Sequence, residues 1–248
     1  MTKVEEYSGK LITLGDWVPF LKANSNLPGP RGNLELAYAA AHTSTIHQME
    51  LMLAEDSPEV VENSPEVFVV FCGVVALGVH FTPGNIGQIS TLKYYANDSR
   101  WRIRESVAMA LQEIGKRDMQ LLLSELKGWM DGPYLQLRAV AAGVCEPALL
   151  RELSFAGQVL EMLDQVTTRI QEGPLDDKDG YNALQKGLSY CWSVATCAYP
   201  EKGKRLMEKW MSSTQPGIRK IMLENLKKNR LIKMDAVWVE NCIKVMSK

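Results

Sequence analysis

Apolar residues recur at helical spacing along nearly the whole chain. Trp17, Phe20 and Leu21 share one side of a short helix predicted over 14–23, starting near Asp16. The stretch NSNLPGPRGN, 24–33, holds two prolines and two glycines and is predicted as a loop. Helix resumes at about Leu34 through LELAYAAAHTS and continues over 46–55, where Ile46, Met49, Met52 and Leu53 keep the period. An acidic connection, 55–63, leads to Ser64-Pro65-Glu66, which has the features of a helix start: a serine cap, proline in the first turn, and an acid near the positive end of the dipole. The run that follows, VFVVFCGVVALGVHF at 67–81, is apolar on most sides. It is shorter than the ~20 residues that span a bilayer, so a buried helix is expected.

Thr82-Pro83-Gly84 breaks that run. A helix over 86–97 points Ile86, Ile89, Leu92 and Tyr95 or Ala96 inward. The next, 101–114, carries Ile103, Val107, Ala110, Leu111 and Ile114 as its buried stripe and stops at Gly115. Asp118 caps a helix with Leu121, Leu122, Leu126 and Trp129, ended by Gly132-Pro133. Further helices are predicted over 135–145, 155–171, 181–198, 201–211 and 216–228. A last one, capped by Asp235, turns Val239, Cys242, Ile243 and Met246 inward. GPLDDKDG, 173–180, is read as an acidic loop. Alternating strand patterns are essentially absent, so the fold class is all-α.

The second helix of each successive pair starts near Arg31, Pro65, Trp101, Leu135, Tyr181 and Gly217, a spacing of roughly 34–36 residues with one longer step. RIRESVAMAL at 102–111 is echoed by QLRAVAAGVC at 136–145, which puts Arg104 and Arg138 in matching positions. About six helical hairpins of this period form an α-solenoid, in which each hairpin hides its apolar stripe by stacking on its neighbours. The expected organisation is one repeat domain, 1–248, with an insertion at 146–180 and capping helices at 201–248.

Charge changes this picture only locally. The net charge is -1. Residues 1–99 carry 5 Lys/Arg against 11 Asp/Glu, whereas residues 201–248 carry 12 against 5. The basic end either solvates a terminal helix or meets an acidic partner. Five cysteines form no C-x-x-C pair, and most sit in apolar helical patterns, as buried thiols of an intracellular protein do. MTKVEEYSGK has no apolar core of a secretory signal. A cytoplasmic protein with no membrane span is therefore expected.

The 101–115 stretch resembles the second helix of a HEAT repeat: Ile103-Arg104, Val107-Ala108, Ala110-Leu111, Ile114-Gly115. Leu137-Arg138 with Val140-Ala141-Ala142, and Ile218-Arg219 with Leu223 and Leu226, are weaker echoes. The resemblance is good over about 101–145. It implies a right-handed superhelix whose second helices line a concave face. The start SRWRIR, 99–104, is also similar to a Trp-Arg-rich helix start in HEAT-like DNA alkylation repair glycosylases. Those enzymes place an aspartate in the cleft. Here the nearest acid is Glu105, which departs from that pattern.

Candidate chemistry gathers on the same helix. Arg102, Glu105, Met109 and Gln112 fall on a face beside the apolar stripe, and Arg102 with Glu105 could simply pair. Arg104, at the stripe's edge, either bonds a neighbouring hairpin or meets a ligand, and Arg138 and Arg219 share that choice. Trp101 and Trp192 are the tryptophans best placed to project into a groove; Trp129 and Trp210 read as core. Ala139, Ala142 and Gly143 allow close helix approach or leave room for a ligand. His42 and His47 are not at metal-pair spacing, and His80 is expected to make a hydrogen bond at the end of the apolar run. No catalytic triad, phosphate loop or metal-spaced cluster is present in the sequence, and Asp176, Asp177 and Asp179 do not match a calcium loop.

The sequence thus predicts a non-enzymatic HEAT-like scaffold, without cofactor or metal, that binds a protein or peptide partner in its concave face. The alternative is a nucleic-acid-binding protein or base glycosylase. In that alternative Trp101, Arg102, Arg104, Arg138, Trp192 and Lys220 hold the ligand and Glu105 is the acid. A third reading, a small-molecule sensor using the long step at 145–181 as a lid, has no specific residues behind it.

Overall fold

A computed structural model describes residues 1–171, 173 and 176–247. Among them the regular structure is entirely helical, with no strand. The chain divides into two compact units, Met1–Ile114 and Gly115–Lys248.

The first unit contains α1 (Lys3–Leu11), α2 (Val18–Ala23), α3 (Leu34–Thr43), α4 (Ile46–Ala54), α5 (Pro65–Val79), α6 (Ile86–Ala96) and most of α7 (Trp101–Arg117). α1 packs on α3, and α3 packs on α5. α2 and α4 also lie against α5, which is the hub. Every residue of α5 from Val67 to Gly78 is buried, as its all-round apolar sequence requires. α7 crosses α5 closely: a Cβ on Gly78 would overlap the backbone of Ala110. Ser64 caps α5 through the Val67 N–H, with Pro65 in the first turn.

Several element boundaries differ from the sequence pattern. α1 is held by a capping box in which Thr2 and Glu5 bond reciprocally, but it buries only Leu11 within its span, too little for a periodic stripe. A second capping box, Thr45 with Gln48, divides what reads as one helix into α3 and α4. α7 continues through Gly115, where a side chain would press on Leu122 and Leu149. Ile46 and Ile86 are exposed rather than inward. Each is the first residue of its helix, and first-turn side chains lean back past the end of the element.

The second unit contains α8 (Met119–Lys127), α9 (Tyr134–Val144), α10 (Leu153–Gln171), α11 (Lys178–Ala198), α12 (Pro200–Met211), α13 (Pro216–Leu226), α14 (Asn229–Met234) and α15 (Ala236–Met246). α9 packs on α11, α11 on α13, and α13 on α15, while α10 packs on α12. α14 interrupts the expected path to the last helix. On α15, Val239, Cys242 and Met246 are buried, whereas Ile243 is partly exposed. The acidic loop read at 173–180 includes Pro174 and Leu175, which lie outside the described residues.

Asn225 is wholly buried between α13 and α11. Its Oδ1 accepts from the Ser193 N–H at 2.8 Å, and its Nδ2 donates to Leu188 O at 2.9 Å and to Ile221 O at 2.8 Å. One side chain thereby joins two backbone groups within α11 to its own helix.

Candidate functional site

The Trp-Arg start of α7 lies beside a small apolar cleft of about 180 Å³ in the first unit. Leu27, Leu34, Phe68, Phe71 and Met109 give it an apolar lining, with Trp101, Arg102, Glu105 and Arg31 also on its wall. Trp101 is the large residue left in solvent, at 46% exposed. Phe68 and Phe71 come from α5 and stack on each other at 6.2 Å between centroids.

One wall of the cleft is the 24–33 loop, and buried polar groups hold its shape. Asn33 caps α3 through the Leu36 N–H, and its Nδ2 donates to Asn24 O at 2.9 Å and to the Tyr7 hydroxyl at 3.0 Å. The Asn33 N–H donates to Ser25 O, closing the loop at its base. The far side is tied down by Arg102. Its Nη2 donates to Gly29 O at 2.7 Å and to Asn63 Oδ1 at 3.0 Å, and the same Asn63 oxygen accepts from the Gly29 N–H. Glu62 accepts from the Arg102 backbone N–H and lies 3.5 Å from Nε.

Arg102 is therefore a bracket rather than an open contact. It is only 8% exposed, and its guanidinium packs 4.6 Å from the Trp101 ring centroid. Its place in an open groove is corrected by this burial, and Glu62, distant in sequence, forms an ion pair with it. Arg104 behaves the same way. Its Nη1 donates to Asp98 O at 2.6 Å and Ser99 O at 2.7 Å, just beyond the end of α6. Arg100, the third arginine of the motif, pairs with Asp98 and Asp56 and donates to Val60 O. Asp98 first, and then Asp56, hold its pKa above the ordinary arginine value. All three arginines of SRWRIR fasten segments of the first unit.

Trp101, Arg102 and Glu105 are thus brought to one cleft, with Glu105 half-buried one turn after Trp101. Arg138, Trp192 and Lys220 belong to the second unit. The Arg138 stem lies against α11 at Gly187. Trp192 is 0% exposed, and its Nε1 donates to Thr167 Oγ1 at 3.1 Å. This corrects its candidacy for a groove, because its ring fills the core. Lys220 is exposed and lines a shallow basic surface with Arg219 and Lys227. The loop residues and the two phenylalanines were missed in sequence, because a Pro/Gly-rich loop gives no sign of which helix it folds onto.

Two of the histidines make short polar contacts. His80 Nε2 lies 3.1 Å from Ser44 Oγ, the hydrogen bond expected at the end of α5. His42 Nε2 is 3.0 Å from Glu113, a buried acid. All five thiols are free, and only Cys197 is partly open. Burial raises the thiols of Cys72 and Cys145, while burial and then Glu208 push Cys242 up to about 11. Among the described residues no three His, Cys, Asp or Glu side chains gather as a metal site would need, and no helix is long and apolar enough to cross a membrane.

Compared with protein-family models, with characterised proteins and with solved structures, this chain matches none.

Proposed function

We propose that this chain is a HEAT-like scaffold of stacked helical hairpins that binds a protein partner by taking one of its apolar side chains into the cleft beside Trp101. The cleft carries the reading. About 180 Å³ is the size of a cavity that holds a single ring or a branched aliphatic group. Exposed tryptophan beside an apolar pocket is the kind of anchor point that dominates protein interfaces. The surrounding sequence, 1–99, is acidic and disfavours a polyanion. Successive packing of α1, α3 and α5, and of α9, α11, α13 and α15, supports the stacked-hairpin part of the proposal. The right-handed sense and concave face remain part of the same proposal.

The test is selection of peptides from a random displayed library against the full chain, with counter-selection against a cleft-filled Met109→Trp variant. Peptides enriched in one aromatic or aliphatic position, and weakened about tenfold or more by Met109→Trp and by Trp101→Ala, are expected. Enrichment that ignores both substitutions overturns the reading.

One observation favours a second reading. The Glu105 carboxylate lines the same cleft as exposed Trp101, as recognition of a nucleic-acid base by a carboxylate beside an aromatic ring would require. Fluorescence anisotropy with a short duplex, with and without an alkylated base, tests it at about 50 and 200 mM salt. Preference for the damaged duplex, lost in Glu105→Gln, supports base recognition; no binding at the lower salt removes it.

A further inference from the structure

The second unit has a strongly basic surface built around the end of α13 and the whole of α14. Two shallow clefts of about 450 Å³ each share Lys227. Lys228, Arg230 and Lys233 line one, and Arg219, Lys220 and Glu224 line the other. Lys227 pairs with Glu224 at 2.6 Å, and Lys227 first, then Lys228 and Lys220, draw the Glu224 carboxyl below its ordinary pKa. Among the described residues no carboxylate forms an ion pair with Lys220, Lys228 or Lys233. One acid therefore faces a concentration of cations that the fold does not neutralise.

The two arginines are already committed. Arg219 Nη2 donates to Met246 O, and Arg230 Nη2 donates to the Tyr190 hydroxyl while its guanidinium lies 4.5 Å from the Tyr190 ring centroid. The cations left open are lysines, compact point charges that meet carboxylates and phosphates alike, so charge by itself calls only for an anionic partner. Apolar surface adjoins them. Tyr190 is 46% exposed, and Ile232, one turn after Lys228, is 42% exposed.

We infer that this surface docks an acidic protein segment that also carries an apolar side chain, its carboxylates meeting Lys220, Lys228 and Lys233 and its apolar group meeting Tyr190 and Ile232. The charge complementarity names the chemistry, and the apolar neighbours distinguish a peptide from a bare polyanion. Lysines at such a surface steer a negatively charged partner and make its association steeply dependent on salt. This site lies on residues separate from the cleft beside Trp101, so either reading can fail alone.

The experiment is fluorescence anisotropy of the full chain with three labelled probes: a glutamate-rich peptide containing two leucines, an all-glutamate peptide of equal length, and a ten-nucleotide oligothymidylate. The leucine-containing acidic peptide is expected to bind most tightly, and to weaken about tenfold or more between 50 and 200 mM salt. A Lys228→Glu, Lys233→Glu double variant should lose about tenfold or more, and a Lys3→Glu, Lys127→Glu variant of identical net charge should keep wild-type binding. Circular dichroism of both variants confirms that each is folded. Equal losses in the two double variants overturn the site, as does failure of either peptide to bind. Tighter binding of the oligonucleotide than of either peptide overturns the acidic-segment assignment and makes the surface a nucleic-acid one.

Discussion

Asn225→Ala should destabilise the second unit although it removes only one small buried amide. Three hydrogen bonds go with the amide: Ser193 N–H to Oδ1, and Nδ2 to Leu188 O and Ile221 O. Ile221 lies four residues earlier in the same helix, so its carbonyl retains the ordinary helical partner. The cost falls on α11. Ser193 N–H and Leu188 O also lie inside a continuous helix and keep their helical partners, so the loss is of two further hydrogen bonds, each worth about 0.5–1.5 kcal/mol. The expected total is about 1–3 kcal/mol, a sizeable share of the ~5–15 kcal/mol that holds a typical domain together. Asn225→Asp keeps an acceptor for Ser193 but removes both donors and buries a charge, so it should cost at least as much. Urea denaturation followed by circular dichroism measures the global change. Hydrogen exchange at the Ser193 amide reads the local one: slow in the native protein, and faster by about tenfold or more in the variant. A shift below about 1 kcal/mol with unchanged exchange at Ser193 would refute the idea that this side chain stabilises α11.

Other expectations follow from the same geometry. Arg102→Met should cost about 2–4 kcal/mol and open the 24–33 loop to limited proteolysis, because Gly29 O, Asn63 and Glu62 lose their shared donor; an uncut loop in the folded variant would show that Asn33 and Asn63 hold it without the arginine. Ser64→Ala should lower stability by about 1 kcal/mol through loss of the α5 cap, measured by urea unfolding. Glu66, Glu224, Asp235 and Glu240 are all held below their ordinary pKa values. Their stabilising contribution is present above the unfolded-state values and is lost as pH falls through the lower folded ones, so the urea midpoint should decline below about pH 4.5 and not rise. Thiol titration of the native chain at neutral pH should modify Cys197 first, with Cys72 and Cys145 reacting only after denaturant is added.

Much of the helical framework was legible because it rests on local period and caps. The Ile103, Val107, Ala110, Leu111 and Ile114 stripe is buried throughout, and Asp118 and Asp235 cap the helices they precede. The division at Ser44 was written in Thr45 and Gln48, but a continuous apolar period over both helices hides a capping box. The roles of the arginines were less legible. Arg102 joins residues 29, 62 and 63, and nothing in its immediate sequence shows that these arrive beside it. Trp192 illustrates the same limit: its period fits a core or a groove equally, and only the Thr167 hydroxyl placed against its indole decides between them. Glu105 and Met109 could be assigned to the face beside Trp101 because one helix carries all three, whereas Phe68 and Phe71 reach the cleft only through the packing of α5.

Arg102 grips the 24–33 loop at the carbonyl of Gly29, and Asn63 grips it at the amide of the same residue. Both contacts are with main chain, and main-chain atoms are the same whatever side chain they bear. Loop side chains that take no part in its own bonding can therefore change while its seat beside α7 stays fixed, whereas Gly29 cannot, because a Cβ there would overlap Asn26 O. Arg31 could be exchanged to suit a different guest without disturbing the helices beneath. In engineering terms the first unit offers a graftable rim: a short insert held by its backbone, beside a tryptophan that supplies a constant opposite wall.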